Sequence, residues 1–201
     1  YVQKNLKLKI RVIGISNSKM MFFDQNGVDL TNWKELLQQG EKTAIDTFHS
    51  KVTSYNFRNS VFIDITANQK VSEMYEHYLR KNIAVVTCNK IACSSSSQNY
   101  NILKGVSRKS NVSFLYETNV GAGLPIIDTL KNLIASGDRV HKIQAVLSGS
   151  LNFVFNNFNS STTFCSIVEQ AEKEGYTEPD PKIDLSGIDV ARKILILARE
   201  S

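Results

Sequence analysis

The residues with the most chemical potential lie between Gly175 and Lys193, where Glu178, Asp180, Asp184, Asp189 and Lys193 follow one another across Pro179 and Pro181. Proline lacks an amide donor and restricts the residue before it, so Glu178 and Asp180 are predicted on non-helical chain. A helix is predicted to begin beyond them, with Ser186 as N-cap and Asp189 three positions on as an acidic capping box. On that helix Ile188, Val190, Ala191, Ile194, Leu195, Leu197 and Ala198 cover more than half the circumference and imply extensive burial. Asp189, Lys193 and Glu200 share one polar strip. A single Asp/Lys pair four residues apart is ordinarily a solvated ion pair worth about 0.3–0.5 kcal/mol. Here Glu178 and Asp184 arrive at the same helix start, and charges gathered at a buried helix end need partners or a substrate. A lysine in such a place acts as a base only after losing its charge, which burial or a second cation favours and a carboxylate opposes.

The elements that must position these groups follow from the pattern upstream. Apolar residues alternate from Leu6 to Val12 and lead through Ile13-Gly-Ile15 to a polar turn, Ser16-Asn-Ser-Lys19, which reads as strand then turn. Val61–Ile65, Ile83–Val86, Val112–Tyr116 and Lys142–Leu147 read as further strands. Helices are predicted around Trp33, Leu36 and Leu37, over Val71–Lys81, from Ser94 through Tyr100–Val106, over Ile126–Ala135, Phe153–Phe158 and Phe164–Lys173. Strands alternating with helices imply a parallel sheet whose ligands gather at the carboxyl ends of the strands. Thr66, Ala67, Thr87, Asn89 and Lys90 fall at such ends. A strand end followed by Asn17, Ser18 and Lys19, with no acid before Asp24, suits a ribose 2′-phosphate better than a bare ribose. No GxGxxG occurs anywhere in the chain.

Composition sets the outer limits. The chain has 201 residues, 42% hydrophobic and 21% charged, with a formal charge of +5 spread along its length. These values suit a globular protein with one large or two small domains, and argue against nucleic acid as a partner. No apolar run is long enough to span a membrane and no secretory signal opens the chain, so a cytoplasmic protein is expected. Cys88, Cys93 and Cys165 lack paired spacing, which predicts free thiols without disulfide or zinc. His49, His77 and His141 stand apart from one another. The absence of an initial Met, and a helix that runs into Ser201 without a C-cap, read as a piece of something larger.

The Gly175–Lys193 segment resembles the substrate-binding signature of homoserine dehydrogenases. Val86-Thr-Cys-Asn-Lys90, Leu115-Tyr-Glu-Thr-Asn-Val-Gly-Ala-Gly-Leu-Pro-Ile127 and Leu147-Ser-Gly-Ser-Leu-Asn-Phe153 match the same family in the same order. Asn17-Ser18 followed by Gly27-Val-Asp-Leu-Thr-Asn-Trp33 is most similar to the form fused behind an aspartate kinase. The resemblance implies a truncated, Rossmann-like, doubly wound α/β nucleotide-binding domain over 1–122, without its first strand and phosphate turn. It implies part of an α+β substrate and dimerisation domain over 123–201, and a homo-oligomer.

By the same resemblance the reaction interconverts L-homoserine and L-aspartate 4-semialdehyde with NADP or NAD, on the route to threonine and methionine. Lys193 is implied as the proton-transfer residue, with Lys90 second. Tyr176, Thr177, Glu178, Asp184 and Asp189 are implied around the amino-acid substrate, and Asn17, Ser18, Lys19, Thr66, Ala67, Lys90 and Gly175 around the cofactor. Glu117, Val120, Ala122 and Leu124 are implied as ligands of a monovalent cation such as sodium. Read without the family, Glu117–Pro125 is a tight Gly-rich connection. Two rival readings stand beside the enzyme: a non-catalytic assembly or regulatory module, since the phosphate turn is missing, and an acylating semialdehyde dehydrogenase. The second is disfavoured because no histidine accompanies Cys88 or Cys93.

Overall fold

The computed structural model describes residues 1–201. They form two compact units, residues 1–60 with 81–83 and residues 61–80 with 84–201.

The first unit contains α1 (Val2–Asn5), β1 (Gly14–Ser16), β2 (Met20–Phe23), α2 (Trp33–Gln38), β3 (Glu41–Lys42) and α3 (Ile45–Ser54). Its strands form an antiparallel sheet in the order β1-β2-β3. Asn17 makes the β1–β2 turn: its side-chain oxygen accepts the amides of Lys19 and Met20 at 2.8 Å each, an Asx turn that needs no glycine. Met21, Val28 and Leu37 are buried, and the Phe23 ring sits 4.8 Å from Phe48 and 6.1 Å from Tyr55. The strand predicted from Leu6 begins only at Gly14, leaving Leu6, Leu8 and Ile10 exposed. Alternation alone does not make a strand, and residues 6–13 lack the ladder partner that would complete it.

The second unit carries β4 (Val61–Asp64), α4 (Gln69–Glu73), α5 (Tyr75–Arg80), β5 (Ala84–Thr87), α6 (Lys90–Cys93), α7 (Ser97–Ser110) and β6 (Phe114–Leu115). A 3₁₀ turn at Glu117–Asn119 follows, then α8 (Ile127–Ala135), α9 (Gly149–Asn157), α10 (Phe164–Lys173), α11 (Pro181–Leu185) and α12 (Ile188–Glu200). β4, β5 and β6 form a parallel sheet. Period-two alternation sends Phe62, Asp64, Val85, Thr87 and Phe114 to one face, where Phe62 stacks on Tyr78 at 4.3 Å and Tyr75 meets Phe114 at 5.9 Å. Val61, Ile63 and Leu115 on the other face are exposed. Helix α7 starts on the cap of Ser96, buries Tyr100, Leu103 and Val106, and stops at left-handed Asn111. Val154, Ile167 and Ala171 pack α9 against α10.

Four local predictions are corrected. The single helix over Val71–Lys81 is two, α4 and α5, parted at Met74. The strand over Lys142–Leu147 does not form: no strand pairs with it, and Ile143 and Val146 are exposed. Ser186 is not the N-cap of α12. It closes the one-turn helix α11, and Gly187, with φ 68°, holds the N-cap position, a left-handed conformation suited to glycine. The burial of α12 is also rotated from expectation. Ile196, Leu197 and Glu200 are buried, whereas Ile188, Ile194 and Leu195 are exposed, so along the strip Glu200 is buried and Lys193 half-buried while Asp189 stays exposed.

Candidate active site

That rotation brings the helix charges into one chain of contacts. Lys193 Nζ lies 2.7 Å from Asp189 Oδ2, and Lys90 Nζ, at the first residue of α6, lies 3.2 Å from Asp189 Oδ1. Lys193 also donates to the Leu147 carbonyl at 2.7 Å. The two lysine side chains are 19% and 27% exposed against 50% for the aspartate, so both ammonium groups sit deeper than the carboxylate joining them. Burial alone would raise the Asp189 carboxyl. The hydrogen bond from Lys193 and the charges of Lys90 and Lys193 outweigh it and hold Asp189 below its ordinary value. It is an anion at neutral pH.

The turn before α12 arrives beside the same Leu147–Ser148 chain. Helix α10 ends in a Schellman motif, with Gly175 at φ 77° donating to Glu172 and Tyr176 donating to Ala171. Pro181 then starts α11 under the cap of Asp180, and Glu178 stays outside any helix as its proline neighbour requires. Asp184 ties the region together: its Oδ1 accepts from Ser150 at 2.7 Å and its Oδ2 accepts the Glu178 amide at 2.9 Å. Ser150 in turn meets Ser148 at 2.9 Å. Tyr176 stacks on Phe153 at 4.3 Å, and Thr177 Oγ1 is buried with no hydrogen-bond partner. Tyr176, Thr177, Glu178 and Asp184 are therefore one assembly, and Lys193 joins it through the residue next to Ser148.

A second network escaped sequence reasoning. Asp64, at the end of β4, is 2% exposed and has no cationic partner. Its carboxylate accepts the Tyr75 hydroxyl at 2.5 Å, the Asn89 amide at 3.0 Å and the Thr66 backbone N–H at 2.7 Å. Burial and the Asp64 bond push the Tyr75 hydroxyl up, so it stays protonated and donates. Asn89 caps the amide of Ile91 and so fixes the start of the Lys90 helix. Thr66 and Asn89 are thus held by one buried carboxylate, and Asn89 carries the start of the Lys90 helix. An acid on the inward face of an apolar strand was the available signal.

The remaining predicted residues lie elsewhere. Asn17, Ser18 and Lys19 belong to the first unit and form its β1–β2 turn. Glu117 caps α8, its two oxygens accepting the amides of Ile127 and Asp128 at 2.8 Å each. Val120 is buried, Ala122 is left-handed at φ 51°, and Leu124 is 62% exposed. Glu200, placed by sequence on the polar strip, is 8% exposed and accepts from Tyr100, Tyr116 and Lys104. All three cysteines are free, and burial, reinforced by the Glu200 charge, pushes the Cys93 thiol up to about 12. That is the opposite of what a nucleophile needs.

A family model described as "Homoserine dehydrogenase, NAD binding domain" matches residues 2–117, and one described as "Homoserine dehydrogenase" matches residues 125–201. The chain is 46% identical over its whole length to the bifunctional aspartokinase/homoserine dehydrogenase 1 of Zea mays, of which it covers 22%. A Candida auris protein of unknown function superimposes with a TM-score of 0.85 at 36% identity, over 96% of this chain and 57% of that one. A hyperthermophilic archaeal homoserine dehydrogenase in complex with NADPH does so with a TM-score of 0.78 at 25% identity, over 94% and 60%. The chain thus spans about a fifth of its bifunctional maize relative and somewhat over half of these solved chains. With both family models matched in order along it, the chain belongs to the homoserine dehydrogenase family.

Proposed function

We propose that the protein carrying this chain interconverts L-homoserine and L-aspartate 4-semialdehyde with a nicotinamide cofactor. The observation that carries this reading is the Lys90–Asp189–Lys193 chain set against the Asp184–Ser150 assembly. A bound nicotinamide cofactor would supply the hydride acceptor for the carbon bearing the hydroxyl, and the hydroxyl proton would then need an acceptor from the chain. Lys193 is that acceptor, and in the reverse direction it returns the proton to the aldehyde oxygen. Asp189 and the Leu147 carbonyl aim its Nζ. Lys90 places a second positive group where oxygen charge develops. Glu178 and Asp184 supply the negative charge that suits the substrate ammonium, and Thr177 Oγ1 is a buried polar atom without a partner beside them. Tyr176 lines the same assembly.

The cofactor residues in this reading are those the family resemblance implies, Asn17, Ser18 and Lys19 of the first unit and Thr66, Ala67, Lys90 and Gly175 of the second. Asn17 spends its side-chain oxygen on its own turn, and no acid stands at this strand end to bond a ribose 2′-hydroxyl. Steady-state kinetics of the full-length protein should therefore show NADPH used at least as well as NADH, and a preference for NADH of about tenfold would contradict this. A monovalent cation at Glu117, Val120, Ala122 and Leu124 belongs to the same proposal. Each Glu117 oxygen accepts one amide and retains a second acceptor position, so the carboxylate can cap α8 and still contribute to a cation.

A second reading keeps the fold as a non-catalytic assembly or regulatory module. Full-length protein that binds NADPH and turns over homoserine excludes it.

A further inference from the structure

Helix α6 spans only Lys90–Cys93, and a single helical turn has little stability of its own. Its start is held by Asn89, whose side-chain amide donates to Asp64 and to the Asn68 carbonyl at 3.0 Å each. Its far end is held from α12. Arg199 Nη1 donates to the Cys93 carbonyl and Nη2 to the Ser95 carbonyl, both at 2.6 Å. The same guanidinium lies 5.0 Å over the Tyr100 ring. The next residue, Glu200, is fixed by Tyr100 and Tyr116 and by Lys104 at 3.1 Å. The last turn of α12 is thereby locked to α7 and to the end of β6.

Helices α6 and α12 meet again at their first turns, where Lys90 approaches Asp189 at 3.2 Å. Asp189 and Arg199 are ten residues apart, about 15 Å along the helix, so two separated cross-links join the pair. We propose that Arg199 is a positioning residue: by gripping two carbonyls of the α6 end it sets the Lys90–Asp189 contact and hence the placement of the proton-transfer lysines. A planar two-pronged donor fixes angle as well as distance, which a lysine at the same position does not. This inference rests on the functional reading of Lys90 and Lys193 given above.

The test uses full-length protein with Arg199→Ala, Arg199→Lys, Lys90→Ala and the Arg199→Ala/Lys90→Ala double variant. Arg199→Ala should lower kcat for homoserine oxidation by roughly 10- to 100-fold, as a displacement near 1 Å does, with KM little changed. Arg199→Lys should recover part of the loss. The informative quantity is the double variant: once Lys90 is gone, Arg199→Ala should cost about twofold or less. A general structural role would instead give multiplying losses, and that result overturns the proposal, as does a normal kcat in Arg199→Ala. Acetylation of Lys90 by acetic anhydride, followed by mass spectrometry, reads the contact without any activity. It should quicken severalfold in Arg199→Ala and return toward the wild-type rate in Arg199→Lys, and an unchanged rate overturns the proposal. Wild-type protein that does not oxidise homoserine would refute the functional reading, and the acetylation rates would then decide the Arg199 inference alone.

Discussion

Asp184 holds two different groups with its two oxygens, the Ser150 hydroxyl and the Glu178 amide, and this links a small-residue turn to the chain that carries Glu178. Replacing it with Asn keeps one acceptor and the shape but removes the charge proposed to face the substrate ammonium. Asp184→Asn should therefore raise KM for homoserine about tenfold, the size of one lost charged hydrogen bond, while protein stability changes little. Steady-state kinetics beside a thermal denaturation curve measure both, and an unchanged KM would remove Asp184 from the substrate site. At this scale the sequence was informative. Glu178, Asp184, Asp189 and Lys193 were visible as a grouping because prolines and a helix start fix their local geometry. Asp64 carried a signal, an acid on the inward face of an apolar strand, whereas Arg199 was not visible because the carbonyls it grips, those of Cys93 and Ser95, lie more than a hundred residues away in the chain.

At the scale of the element, α12 carries both the charges of the site and its own anchor. Its periodicity was legible but its orientation was not: the apolar arc suggested one buried face, whereas Ile196, Leu197 and Glu200 mark the face that is buried. The paired tyrosines and Lys104, which draw Glu200 inward, come from α7 and from the end of β6, and no wheel of α12 contains them. Burial alone would raise the Glu200 carboxyl, but hydrogen bonds from Tyr100 and Tyr116, with Lys104, reverse the sign and leave it below the ordinary 4.5. A carboxyl lowered in the folded state contributes stability above its unfolded value and loses it as pH falls through the folded one. Thermal midpoints should thus fall for wild type as pH drops below about 4.5, and Glu200→Gln should flatten that acid limb while costing about 1–3 kcal/mol at neutral pH. An acid limb identical in the two proteins would contradict this account of Glu200.

At the scale of the whole molecule, the α/β character and the parallel sheet β4-β5-β6 follow from alternating strand and helix patterns. The segments that departed, Leu6–Ile13 and Lys142–Leu147, share one physical cause. Both have strand-like sequence and neither has a neighbouring strand within the chain to complete a ladder. The residues proposed for chemistry, Lys90, Asp184, Asp189 and Lys193, all belong to the second compact unit, while Asn17, Ser18 and Lys19 belong to the first.

The central claim is that Lys193 moves the substrate proton rather than merely pairing with Asp189. Single-turnover oxidation of homoserine by full-length protein, wild type against Lys193→Ala, tests it most directly. The account predicts a hydride-transfer rate lowered by roughly 100-fold or more with cofactor affinity nearly unchanged. A near-normal rate, accompanied only by a stability loss under about 1 kcal/mol, would show that Lys193 is an ordinary helix ion pair and contradict the claim.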